Sequence, residues 1–159
     1  MHPRAEELIR LLALRPHPEG GFYRETFRSA ARVTGSRRPE RSALTTIYFL
    51  LAAGFSAWHR VQSDEVWHWY EGEPLELLLA SPDFSSLQRH RLGPVGPSTE
   101  PVVTVPAHWW QAARPLGPYA LCGCTVAPGF EFEDFTFLRD DSDASDALRV
   151  AAPDLAALL

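Results

Sequence analysis

Short apolar stretches separated by turn signals run along most of this chain. Residues 42–51 read SALTTIYFLL, rich in β-branched and aromatic side chains, and predict a strand that Gly54 breaks. Residues 58–62 and 65–70 predict two more strands joined by the tight turn Gln62-Ser63-Asp64, with Gly72 and Pro74 closing the second. LELLLA at 75–80, the polar run 86–92, and the segments 102–105, 109–113, 119–127 and 130–138 add further strands. The last alternates at Phe130 and Phe132, then at Phe135 and Phe137. Another strand starts at Phe22, behind the Gly20-Gly21 turn. About ten short strands with turn signals every ~8–12 residues predict an all-β sandwich or barrel. A jelly-roll-type box is the economical reading.

The two ends differ. Residues 5–14 place apolar side chains at 5, 8, 9, 11, 12 and 14, one face of a short helix that Pro16 and Pro18 end. Residues 153–159 predict a final short helix over a sheet edge. Residues 28–41 are polar and broken by Gly and Pro. They read as a solvated loop that carries the densest basic cluster, Arg37, Arg38 and Arg41. The tail from Arg139 is acidic and reads as solvated. Residues 93–101 are the one stretch with linker composition and are too short to separate domains. A single domain over 1–159, with its core at about 17–138, is expected.

Composition narrows the function classes. The chain is 45% hydrophobic and 22% charged, with a net charge of -5, ordinary for a globular domain. No basic stretch is long enough to track phosphates, so nucleic acid is not an expected partner. No apolar run approaches the ~18 residues of a membrane span, and Met1 to Leu14 lacks a signal core, so a cytoplasmic protein with no membrane association is expected. Cys122 and Cys124 lie two residues apart, where a bridge would be strained; they read as reduced thiols packed as small hydrophobes.

The chemistry concentrates in GFSAWHRVQSDEVWHWYEG, residues 54–72. Titratable groups inside so aromatic a strand are costly to bury unless paired or used. His59 and Val61 share one strand face, and the following turn returns Glu65 across from them. A histidine beside a buried carboxylate suits proton transfer near neutral pH. In that reading Glu65 orients His59 and raises its pKa, and His59 removes a proton next to a carbonyl. Tyr23, Tyr48, Tyr119 and Arg24 are all available to stabilise the oxyanion, and the sequence does not choose among them. The bland alternative is a buried His59–Glu65 ion pair with no further role. Most of the five tryptophans read as core or dimer interface, and one or two, Trp67 among them, are candidates for a stacking wall against a sugar or base. Strict alternation puts Glu65, Trp67 and Trp69 on one face and His68 on the other; a β-bulge would turn His68 into the pocket.

The spacing of His59, Glu65 and Gly72 resembles the first cupin motif, with Val61 where the second histidine stands and Gly54 one residue off the leading glycine. Pro106-Ala107-His108 with Gln111 resembles the second motif, His108 replacing a glycine and Gln111 the last metal ligand. Together HPEGGFYRET, SAWHR, SDE, WHW and VAPGFEFEDF are similar to the Cupin_5 (DUF985) family, over about residues 17–138. The resemblance implies a cupin double-stranded β-helix and a homodimer. It also implies kinship with sugar-nucleotide epimerases and ligand-binding cupins, without fixing the activity. Three functions therefore stay open. The first is an epimerase- or isomerase-like enzyme on a sugar or sugar-nucleotide-like carbonyl compound, with His59 as base, Glu65 as orienter and Gln111 as ligand contact. The second is a non-catalytic module binding a small molecule in the same cavity. The third is a metal-dependent oxygenase or isomerase with a divalent metal on His59, Glu65, His68 and Gln111. No cofactor is expected on the first two readings.

Overall fold

The computed structural model describes residues 1–35 and 39–159; Arg37 and Arg38 of the basic cluster lie outside the described residues. An N-terminal helix α1 (Pro3–Leu11) leads to strands β1 (Arg15–Pro16), β2 (Phe22–Arg28), β3 (Arg32–Val33), β4 (Arg41–Ser42), β5 (Thr45–Leu51) and β6 (Ser56–Val61). There follow β7 (Asp64–Gly72), β8 (Leu75–Ala80), β9 (Leu87–Leu92), β10 (Val102–Val105), β11 (Trp110–Pro115), β12 (Ala120–Ala127) and β13 (Phe135–Phe137). Helix α2 (Ser142–Ala151) and a 3-10 helix (Pro153–Leu158) close the chain.

Two antiparallel sheets face each other, one ordered β1-β2-β5-β12-β7-β10 and the other β13-β6-β11-β8-β9. Their inner faces meet over Phe49, Leu51, Trp67, Leu75, Leu77, Leu79, Val103 and Val105. LELLLA is nearly all apolar because both faces of β8 are covered. Leu75, Leu77 and Leu79 point into this core, while Leu78 and Ala80 pack outward with Trp58, Trp110, Leu148 and Leu155. On the outer face of the six-stranded sheet, Ala5 and Leu8 of α1 cover Leu50, Ala52 and Leu121. The result is the jelly-roll-like antiparallel sandwich expected from the sequence, with a helix on each outer face. Among the described residues no helix is long and apolar enough to cross a membrane.

Several local expectations are corrected. Strands β6 and β7 are not a hairpin: the Gln62-Ser63 turn hands the chain from one sheet to the other. His59 and Glu65 therefore face each other across the sandwich. Arg41 is not solvated but buried, and its Nε and Nη2 donate to Asp134 at 2.8 and 2.9 Å. That fork draws residues 132–134 into a 3-10 turn, so 130–138 is not one strand and only Phe135–Phe137 pairs with β6. The polar stretch 28–41 also contributes β3 and β4, which pair with each other at its ends. The acidic tail is helix α2, capped by the Asp141 side chain accepting from the Ala144 N–H at 3.0 Å, with Leu148 buried. Helix α1 ends at Leu11, before both prolines, where Ala13 takes φ 49°. Cys122 and Cys124 are free and buried, and burial pushes the Cys122 thiol up to about 12.

Candidate active site

A cavity of about 260 Å³ opens between the sheets. Strand alternation decides what reaches it. On β6, His59 and Val61 point in while Trp58 and Arg60 point out, Arg60 lying over the outward Trp110 ring at 4.2 Å. On β2, Tyr23 and Glu25 point in; on β5, Ile47 and Phe49; on β7, Glu65. Phe130, Phe132 and Phe135 complete an aromatic side, and the His59 ring stacks on Phe135 with centroids 5.0 Å apart.

The deep end holds a residue that strand reasoning passes over. Glu19 sits in the HPEGG turn, where Gly20 and Gly21 take φ of 113° and 71°. Its carbonyl accepts the Ala57 N–H at 2.8 Å, which pins the turn onto β6 beside His59. The Ser56 hydroxyl donates to Glu19 Oε1 at 2.9 Å, and His59 Nε2 lies 3.3 Å from Glu19 Oε2. His59 Nδ1 is 2.7 Å from the Ala57 carbonyl, which can only accept, so Nδ1 carries a hydrogen. A neutral imidazole then has its lone pair on Nε2, facing a carboxyl oxygen. Two lone pairs cannot face each other at this range, so one proton lies between them. Burial says where: it pushes Glu19 up to about 8 and lowers His59. At neutral pH burial therefore favours a protonated Glu19 donating to a neutral His59 over an ion pair, with His17 Nδ1 3.4 Å from the same Glu19 Oε2. His17 accepts the Glu19 N–H at Nδ1, 3.3 Å away, and burial holds it neutral by lowering it to about 3.

The other sequence candidates fall into two groups. Glu65 lines the cavity, and its proximity raises His59, but this is outweighed by burial, so the expected net rise of His59 is corrected to a fall. Glu65 Oε2 accepts from the Gln111 amide at 2.6 Å, and Gln111 Oε1 accepts the Trp67 N–H at 2.9 Å. Gln111 and Trp67 are thus buried struts behind Glu65 rather than ligand contacts at the cavity wall. Arg24, Tyr48 and His68 point to the opposite faces of their strands. The Arg24 guanidinium lies over the Tyr48 ring at 5.6 Å, and the bulge in the β7–β12 pairing does not turn His68 inward. His108 takes φ 67°, the conformation of the glycine it replaces, and is exposed away from the cavity.

The donor set does not fit a metal ion. His59 Nδ1 is held by a backbone carbonyl and Nε2 faces Glu19; Val61 offers no donor; the Gln111 oxygen is engaged by Trp67; His68 faces away. Among the described residues no three His, Cys, Asp or Glu side chains form a group that could hold one.

Two consequences are measurable. Glu19 keeps a proton in the fold between 4.5 and about 8 that the unfolded chain has lost, so its stabilisation is full below 4.5 and lost as pH rises through 8. His17 acts oppositely: its contribution is full above 6.5 and lost as pH falls through about 3. The two cancel between 4.5 and 6.5. Lowered His59 and raised Glu65 have the same signs as His17 and Glu19. Stability by chemical denaturation should therefore peak in that window. Towards pH 8 it should fall by about 1.4 kcal/mol per pH unit for each group still protonated. Glu19→Gln should remove its share of the alkaline fall. Second, a Cβ at Gly20 would collide with the Phe55 carbonyl oxygen at a φ that L side chains rarely adopt. Gly20→Ala should cost at least about 1–3 kcal/mol in denaturation and displace Glu19 from His59.

Residues 6–138 match the family model Cupin_5, described as "Cupin superfamily (DUF985)". A hypothetical protein from Leishmania major is 32% identical, with a TM-score of 0.82, the match covering 97% of this chain and 95% of that one. A protein from Shewanella oneidensis is also 32% identical, with a TM-score of 0.80 and coverage of 97% and 93%. Oxalate decarboxylase from Bacillus subtilis shares the fold at 13% identity and a TM-score of 0.58, over 79% of this chain and 30% of that one. No functionally curated protein matches the chain.

Proposed function

This chain belongs to the Cupin_5 (DUF985) family of the cupin superfamily, and from the site it builds on that fold we propose an epimerase- or isomerase-like enzyme. It moves a proton on the carbon next to the carbonyl of a sugar-sized compound, without a metal. The observation that carries this reading is the 3.3 Å contact between His59 Nε2 and Glu19 Oε2 at the enclosed end of the cavity.

The pair supplies a base and an acid at once. His59 Nε2 takes the α-proton as the C–H bond breaks. The electron pair moves onto the carbonyl oxygen, which receives the proton of Glu19 Oε2. The intermediate is a neutral enol beside a carboxylate–imidazolium pair, so the buried end gains no net charge. The imidazolium then gives its proton back to carbon, at the opposite face of a turned-over enol for epimerisation or at the former carbonyl carbon of an enediol for isomerisation. The Glu19 carboxylate recovers its proton from the enol or enediol hydroxyl as the new carbonyl forms. The carboxylate left on Glu19, 3.3 Å from Nε2, favours the imidazolium when it forms. Phe135, stacked on His59, and the Ala57 carbonyl fix the ring. The cavity of about 260 Å³ falls below the ~300–1,000 Å³ of sites for drug-sized ligands. It suits a sugar-sized compound rather than a whole sugar nucleotide.

Proton NMR in D2O tests the reading. A panel of aldoses, ketoses and small oxo acids should include compounds whose α-C–H signal disappears only with the protein present. Compounds that bind in the cavity without exchange would make the chain a binding module instead.

A further inference from the structure

The charges around the cavity are sorted by depth. The deep end contains Glu19, His17, His59 and Glu65, where burial favours the neutral form of each. An ionised ligand group placed there would lack a counter-charge and pay its desolvation in full. The permanent charges stand at the mouth: Arg15, Arg28, Glu25 and Glu131. Arg28 is saturated. It donates to Glu25 at 3.1 and 2.8 Å, to Glu131 at 2.7 Å and to the Phe130 carbonyl at 3.1 Å. Arg15 is different. Its guanidinium lies 4.9 Å from the centre of the Tyr23 ring, and among the described residues it makes no hydrogen bond or ion pair. Its charge is felt inside, where it helps hold His17 neutral. The rim thus carries two guanidinium groups and two carboxylates, both carboxylates are held by Arg28, and the guanidinium left for a ligand is that of Arg15, whose planar fork fits a carboxylate.

We propose that the ligands of this site are small carboxylic acids, monoanions whose carboxylate docks on Arg15 at the rim while their carbonyl reaches the His59–Glu19 end. The body of the molecule lies between Tyr23 and the phenylalanines 49, 130, 132 and 135. A phosphate dianion is disfavoured, because a second unpaired cation does not line the cavity among the described residues. The inference deepens the proton-transfer reading and rests on it only for the placing of the carbonyl.

Matched acid and amide probes test it on the full chain: 4-oxopentanoate against 4-oxopentanamide, and glucuronate against glucuronamide. Calorimetric titration near pH 7 should show the acid of at least one pair binding about tenfold or more tighter than its amide. Arg15→Gln should bring that ratio near one, with the amide's affinity unchanged. His59→Gln should keep the ratio. If Arg15 serves only to cover Tyr23, the substitution lowers stability slightly and leaves the ratio alone, which overturns the proposal. So does equal binding of acid and amide, or no binding of any probe up to about 10 mM. An acid preference without proton exchange would sink the enzyme reading and leave the ligand class standing. Exchange on uncharged sugars alone would do the reverse.

Discussion

Replacing His59 by Gln is expected to lower kcat/KM for α-proton exchange by about 10²- to 10⁴-fold, the usual contribution of a positioned general base. Ligand affinity should change only a few-fold. Gln keeps much of the shape and can still donate to the Ala57 carbonyl, which His59 Nδ1 reaches at 2.7 Å, but it cannot take up a proton. Glu19→Gln is expected to cause a loss of the same order, since the carbonyl oxygen then receives no acidic proton. The double variant should be little worse than either single one, because base and acid act in one step. Kinetics of exchange with single and double variants check all three. A purely structural His59–Glu19 contact would instead show in the denaturation midpoint, with no effect on exchange.

Trp58→Ala is expected to give one of the largest losses of stability of any substitution in the chain, about 3–5 kcal/mol by chemical denaturation. Trp58 is fully buried under the C-terminal helices, beside Leu78, Leu148 and Leu155. Its Nε1 donates to the Leu155 carbonyl at 3.1 Å, so one side chain both fills the outer core and holds the last 3-10 helix. The cavity term dominates. Trp58→Phe should cost less, about 1–3 kcal/mol, chiefly for the carbonyl left without its donor. Exposed pairs such as Arg149–Asp146, at 2.9 Å, should contribute at most about 1 kcal/mol. Trp58 adjoins His59 on β6, so its loss should also loosen the site. Activity should then fall through KM and kcat together, unlike the kcat-dominated loss in His59→Gln.

The strands were readable because alternation and turn residues report burial directly. LELLLA, SALTTIYFLL and the strand with His59 lie within a residue or a few of their expected limits, and the family motifs pointed to the right fold. What escaped depends on contacts between distant parts of the chain. Arg41 looks like a loop cation until Asp134 is brought to it, and that fork bends the phenylalanine-rich segment away from a regular strand. The acidic tail hides the apolar face of α2, where Leu148 is buried, behind its charge count. Glu19 belongs to a glycine turn whose composition signals only a change of direction. Its role appears once its backbone pairs with Ala57 and its carboxyl meets His59. Two hints were available: HPEGGFYRET carries part of the family likeness, and two consecutive glycines follow its carboxylate.

Nitrogen-15 NMR of the labelled imidazoles, followed through neutral pH, tests the central claim most directly. The account requires His59 to be neutral near pH 7, with its hydrogen on Nδ1 and a bare Nε2 that accepts from Glu19. Glu19→Gln should leave that tautomer in place, and the Nε2 signal of the native protein should respond as Glu19 loses its proton near 8. A doubly protonated His59 at pH 7, or a hydrogen on Nε2 in the neutral ring, would contradict the one-proton pair and the acid–base chemistry built on it.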